Sequence, residues 1–233
     1  AYTITITDNS VAAAALNTLD GKTSVAINAS NITTLTGAAA DLNTAYGSSG
    51  INNLGDEAIT LSDTSLAVSV LNILDGHTSG TINASSVNTL TGAAADLNTA
   101  YTSGGISNLG NEAVTLSDTS LAVSVLNALD GRTSGAINAS SINTLTGAAA
   151  DLNTAYTSGG ISNLGNEAIT LSDTSLAVSV LNALDAHTSG AINASSINTL
   201  TGAAADLNTA YTSGGISNLG NEAVTLSDTS LAA

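Results

Sequence analysis

The stretch from Asn111 to Gly165, NEAVTLSDTSLAVSVLNALDGRTSGAINASSINTLTGAAADLNTAYTSGGISNLG, decides the fold, because the chain repeats it. Residues 166–220 carry the same string with three changes: Ile169 stands where Val114 did, Ala186 for Gly131 and His187 for Arg132. Looser copies occupy 1–55 and 56–110, and 221–233 opens a fifth. Asp63, Asp118, Asp173 and Asp228 mark the frame at a constant spacing of 55, and Asp8 fits it. A fixed period of this length means one supersecondary unit stacked on itself. We therefore expect residues 1–233 to form a single continuous array, each unit packing mainly on its neighbours.

Within the unit, hydrophobic periodicity separates strands from helices. Ala1–Asp8 alternates, with Tyr2, Ile4 and Ile6 on one face and Thr3, Thr5 and Thr7 on the other, and reads as a strand. Its counterparts are Ala58–Asp63, Ala113–Asp118, Ala168–Asp173 and Ala223–Asp228. The Asp closing each strand reads as a helix N-cap, its charge suited to the positive helix end. The helix it would open runs from Thr119 to about Leu129, with Leu121, Val125 and Leu129 in one stripe and only Ser124 and Asn127 as a polar edge. Gly131 stops it, like Gly21 and Gly76; Ala186 fits less well if that position needs a left-handed backbone. Leu231–Ala233 begins the same helix again.

The segment Gly135–Leu145 reads as two short strands, Ala136–Ala139 and Ile142–Leu145. A second helix, Ala148–Tyr156, is too short to be stable alone and must draw its stability from packing. Ile161–Leu164 is a last extended piece. The expected fold is therefore α/β: a repetitive solenoid of strand–helix coils, two per 55-residue repeat. Strands lie ~4.8 Å apart and packed helices ~8–10 Å apart, so about two strands per helix nearly match and favour a straighter rod.

Composition bounds the chemistry. The hydrophobic fraction is 43%, but there is no Phe, Trp, Met, Pro or Cys and only five Tyr, so the core must be thin and regular. Net charge is −16, with Lys22 and Arg132 the only fixed cations. Nucleic acid and anionic membrane surfaces both require cations that this chain lacks, and no apolar run reaches the ~20 residues of a membrane span. A start at Ala1, without Met, points to a processed protein or a piece of a longer one.

Acidic residues fall in columns, and calcium takes its six to eight oxygens from such groups. The candidate ligands are Asn111, Glu112 and Asp118, with equivalents Asp56, Glu57 and Asp63, and Asn166, Glu167 and Asp173. Against this, neither an EF-hand loop nor the Gly-Gly-x-Gly-x-Asp nonapeptide occurs. A like-charge pair ~10 Å apart in water costs only about 0.4 kcal/mol, so a charge ladder does not demand a metal. Lys22, His77, Arg132 and His187 form the one basic column, read as favourable at a helix C-terminus and pairing with the preceding Asp. Tyr46, Tyr101, Tyr156 and Tyr211 read as closing a core edge with the hydroxyl in water, or as a row for sugar binding. Asn28, Asn83, Asn138 and Asn193 suggest a ladder of stacked Asn. No Cys is present and no His recurs in every unit, so an enzyme is not expected.

The phrases LNALDGRTSG (126–135), INASSINTLTG (137–147), AADLNTAYTSGG (149–160) and VTLSDTS (114–120) resemble 55-residue repeats in very large secreted or cell-surface proteins of cyanobacteria and other marine bacteria. The resemblance spans essentially the whole chain. It implies an extracellular, structural or adhesive array, often alongside calcium-binding segments. The expected function is a structural repeat of an extracellular bacterial filament, sheath or adhesin stalk. Copies of the chain would associate end to end through Tyr2, Ile4, Ile6, Val224 and Leu226. The alternative is an extracellular module binding calcium or surface glycans.

Overall fold

The computed structural model describes residues 2–229. The helical turn expected at Leu231–Ala233 lies outside them. The chain divides into two compact units, one comprising Ala1–Thr115 with Arg132–Gly135, the other Leu116–Gly131 with Ala136–Ala233. Each is an α/β, solenoid-like stack of strand–helix coils, two to every 55-residue repeat, as the periodicity predicts.

In the first unit the helices are α1 (Ala13–Asp20), α2 (Ala39–Gly47), α3 (Val68–Asp75) and α4 (Ala94–Thr102). Two kinds of coil alternate. One runs Ile27–Asn28, Thr34–Gly37, α2; the other runs Ile51–Asn52, Ala58–Leu61, Ser65–Ala67, α3. The second unit repeats the pattern with α5 (Val123–Asp130), α6 (Ala149–Thr157), α7 (Val178–His187) and α8 (Ala204–Thr212).

All strand pairing within each unit is parallel, and the register is unusual. Ser10 faces Thr34 and Thr34 faces Ala58, a step of 24 residues each time. Ile59 then faces Ile82, and Ile82 faces Ile106. The step is shorter than half of the 55-residue repeat, so each rung brings in a different segment of it. The result in the first unit is a five-stranded sheet ordered Ser10–Ala12, Thr34–Gly37, Ala58–Leu61, Ile82–Asn83, Ile106–Ser107. The second unit holds its counterpart: Ser120–Ala122, Thr144–Gly147, Ala168–Leu171, Ile192–Asn193, Ile216–Ser217. In the first unit Ser65–Ala67, Thr89–Gly92 and Ala113–Leu116 belong to a further sheet, and each unit also holds a three-stranded one. Ile4–Thr5, Ile27–Asn28 and Ile51–Asn52 form one; Ser175–Ala177, Thr199–Gly202 and Ala223–Leu226 form the other.

The core is aliphatic and thin. In Ala168–Leu171 the alternation puts Ile169 and Leu171 inside and Ala168 and Thr170 outside. α5 buries Val123, Leu126 and Leu129; α6 buries Ala149, Leu152 and Ala155. Each fully buried Leu or Ile contributes roughly 1.5–3 kcal/mol, an upper estimate given a compact unfolded chain.

Two local expectations change. The helix predicted from Thr119 starts only at Val123, with Ala122 as an extended N-cap that supplies no side-chain bond. The reason is tertiary: Ser120, Leu121 and Ala122 pair with Thr144, Leu145 and Thr146, and the ladder holds them extended. The Asp at the strand end therefore does not cap its own helix. Asp63 Oδ2 accepts the amide of Ala39 at the start of α2 at 2.8 Å. Asp173 does the same for Ala149 at 2.8 Å, and Asp228 for Ala204 at 2.7 Å. The carboxylate caps the neighbouring coil, 24 residues back. The second change concerns Gly21, Gly76 and Gly131, which are right-handed, with φ of −67°, −73° and −72°. Ala186 is accordingly unstrained, and α7 continues to His187.

Where a glycine is needed, the reason is space. A Cβ at Gly190 would fall on the backbone carbonyl of Glu167, whereas at Gly159 it would meet nothing within 4 Å. Gly190→Ala should lower stability by about 1–3 kcal/mol, and Gly159→Ala should stay within about 0.5 kcal/mol. Urea unfolding followed by circular dichroism checks both.

Candidate functional site

The side chains that recur with the repeat converge where one 55-residue copy meets the next. Tyr156, on the last turn of α6, donates its hydroxyl to Glu167 Oε2 at 2.9 Å. The amide of Gly165 donates to the same oxygen at 2.8 Å. Tyr46 with Glu57 (2.9 Å), Tyr101 with Glu112 (3.1 Å) and Tyr211 with Glu222 (3.1 Å) repeat the contact. The period-two pattern explains why the Glu reaches inward. Glu57, Glu112 and Glu167 are only 1% exposed, while the residues before them, Asp56, Asn111 and Asn166, face solvent. The other oxygen, Oε1, of these three glutamates is buried without a hydrogen-bond partner. The tyrosine hydroxyl therefore bonds a carboxylate, where sequence reasoning expected water.

Burial pushes the phenols of Tyr46, Tyr101 and Tyr156 well above the ordinary value of 10.0. A neighbouring threonine hydroxyl (Thr78, Thr133 or Thr188) pulls the other way, and the glutamate charge adds to the rise. Glu222, more open, is held below its usual value: burial raises it, but the Gly220 amide, further backbone bonds and Tyr211 outweigh that.

The carboxylates among the calcium candidates accept hydrogen bonds from the chain itself. Glu57 is taken by Tyr46 and Gly55, and Asp63 by the amide of Ala39. Glu167 and Asp173 are divided in the same way between Tyr156 and Ala149. Glu112 takes Tyr101 and Gly110, and Asp118 is half-buried. Among the described residues no three His, Cys, Asp or Glu side chains form a group suited to a metal ion.

The basic column does not pair with the preceding Asp as expected. Asp130 Oδ2 accepts Ser158 Oγ at 2.7 Å, and Arg132 Nε donates to Asn98 Oδ1 at 2.8 Å. His77 stacks on Tyr46 at 5.8 Å and His187 on Tyr156 at 6.2 Å, which covers those ring faces. The expected Asn ladder takes a different form. Asn138 Oδ1 accepts from Asn163 Nδ2 at 2.8 Å, a residue at positive φ (64°) in the following coil. Asn can hold that backbone better than most residues. Sequence reasoning missed the helix-to-helix bridges altogether: Asn127 Nδ2 donates to the carbonyl of Asp151, and Asn153 Nδ2 to that of Val180. Their only signal was an amide recurring beside a Leu on an otherwise buried face.

The residues singled out for self-association sit at two sheet edges. Tyr2 is 91% exposed, while Ile4 and Ile6 are half-buried beside Ile27–Asn28. Val224 and Leu226 are 45% and 47% exposed, whereas their equivalents Ile169 and Leu171 are 1% and 3% exposed. Searches of protein-family models, curated proteins and solved structures return no match to this chain.

Tyr156→Phe leaves Glu167 with one donor fewer and should cost about 1–3 kcal/mol. The same pair sets an alkaline limit. Below pH 10 the phenol is neutral in both states and its contribution is full. As pH rises towards the raised folded value, only the unfolded phenol ionises, so stability is lost. The wild type should therefore lose stability above pH 10 more steeply than Tyr156→Phe; urea midpoints across pH 8–12 check this.

Proposed function

We propose that the chain is a structural repeat of an extracellular bacterial filament, sheath or adhesin stalk, whose copies join end to end. The observation that carries this reading is the regular stack of one recurring strand–helix coil pair, whose recurrent polar groups bond within the chain itself. The recurrent carboxylates support a scaffold more than a ligand site. Their hydrogen bonds go to the chain's own amides and hydroxyls, and the tyrosine rings that a sugar would stack on carry histidines in two of the four repeats. Cell-surface placement rests on the resemblance of the repeat phrases, with the absence of Cys in accord.

Net charge of −16 on each copy opposes association, and salt screens that repulsion, the Debye length falling from about 10 Å at 0.1 M to about 3 Å at 1 M. Association should therefore strengthen with ionic strength. Analytical ultracentrifugation and electron microscopy across salt and protein concentration should show particles that lengthen; monomers at high concentration and high salt would defeat the proposal. Thermal melts in calcium and in chelator should superimpose, since a cation held only by the folded state would raise the midpoint.

A further inference from the structure

Deepening the cell-surface reading and resting on it, we infer that each 55-residue copy carries an acceptor site for N-linked glycosylation, at Asn28, Asn83, Asn138 and Asn193, with a phosphate-activated sugar as donor.

The motif Asn-x-Ser/Thr accepts sugar on the side-chain amide of surface-exposed loops in secreted proteins. The chain holds it five times: Asn28 with Ser30, Asn31 with Thr33, Asn83 with Ser85, Asn138 with Ser140 and Asn193 with Ser195. In a chain this rich in Asn, Ser and Thr the motif alone says little. The hydrogen bonds separate the five.

Asn138 closes the strand Ile137–Asn138. Its Oδ1 accepts two bonds, from the Ser140 amide at 3.1 Å and from Asn163 Nδ2 at 2.8 Å. Its Nδ2 donates to no group among the described residues and is not buried. Ala139 is wholly buried and fixes the turn, while Ser140 is exposed, its hydroxyl unengaged. The same pair of bonds, again at 3.1 and 2.8 Å, holds Asn28, Asn83 and Asn193. Asn31 differs, because its Nδ2 donates to the carbonyl of Ile6 at 2.9 Å. Asn127 and Asn153, outside the motif, likewise have their nitrogens committed to carbonyls.

A side-chain amide accepts through its oxygen and donates through its nitrogen. Two donors on Oδ1 draw the amide's electrons towards oxygen and make its N–H more acidic. In the transfer, Nδ2 bonds the anomeric carbon of the sugar and one Nδ2 proton passes to the transferase's base. The bond from that carbon to the phosphate oxygen breaks, and its electron pair leaves on the phosphate. Both native bonds end on Oδ1, so a sugar on Nδ2 displaces neither.

The folded full-length chain is incubated with a soluble N-glycosyltransferase and UDP-glucose, then digested and mapped by mass spectrometry. Asn28, Asn83, Asn138 and Asn193 should each gain a hexose. Asn31 should lag roughly tenfold, since its hydrogen bond must break first. In chain digested before the reaction Asn31 should react like the others. Ser140→Ala should abolish labelling at Asn138 and spare Asn83 and Asn193. Failure to label the four in the folded chain, under conditions that label the digest, would overturn the inference; so would equal labelling of Asn31 in the folded chain. If labelling fails while ultracentrifugation shows association, the glycan sites fall and the structural-repeat reading stands. A labelled chain that stays monomeric at high salt keeps the sites and removes the association.

Discussion

Within each unit the structure depends on a mismatch between two lengths. A parallel ladder requires neighbouring strands to stay in register at ~4.8 Å spacing, and here that register advances by 24 residues. The repeat advances by 55. A strand therefore never lies beside its own copy. Thr-Leu-Thr-Gly lies beside Ala-Ile-Thr-Leu, and Ala-Ile-Thr-Leu beside Ile-Asn. The same constraint draws Ser120–Ala122 out of the helix it would otherwise start, and it brings Asp173 to the first amide of the neighbouring helix.

The polar residues follow from that placement. With two fixed cations against eighteen acids, the chain has little scope for ion pairs, and the recurrent acids find neutral donors. Asp63 and Asp173 take helix amides, Asp130 takes a serine hydroxyl, and Glu167 takes a tyrosine hydroxyl and a glycine amide. Such charge-assisted hydrogen bonds are shorter and stronger than neutral ones. Each joins one stretch of a repeat to another, so the bonds that satisfy the acids also fix the coils on one another. The asparagines on α5 and α6 do the same between helices, reaching carbonyls one coil away.

Much of this was legible in the amino acids. Exact repetition set the coil number, and the alternation in Ala168–Leu171 gave the strand face correctly, whereas the helix stripe read as Leu121, Val125 and Leu129 is Val123, Leu126 and Leu129 in the structure. What the local pattern did not contain was the register. Asp118 followed by Thr, Ser and a leucine is a sound helix start by local chemistry, and only pairing 24 residues away shows why Ser120–Ala122 stays extended. Glu167 and Tyr156 were both recognised as columns, yet they stand eleven positions apart with the strand Ile161–Ser162 between them, and no periodicity reports that one faces the other. Gly131 looked like a left-handed stop because glycine often is one; here it is right-handed, so Ala186 in the next repeat lengthens the helix without strain.

The coil that carries three strands has a mechanical meaning. Ile51–Asn52, Ala58–Leu61 and Ser65–Ala67 are consecutive in the chain, yet they belong to three different sheets. Pulling such a coil away cannot open one seam at a time, because all three seams share the load. Tension on such a coil would be borne in parallel, and the coil would leave whole, as plies of a laminate part together.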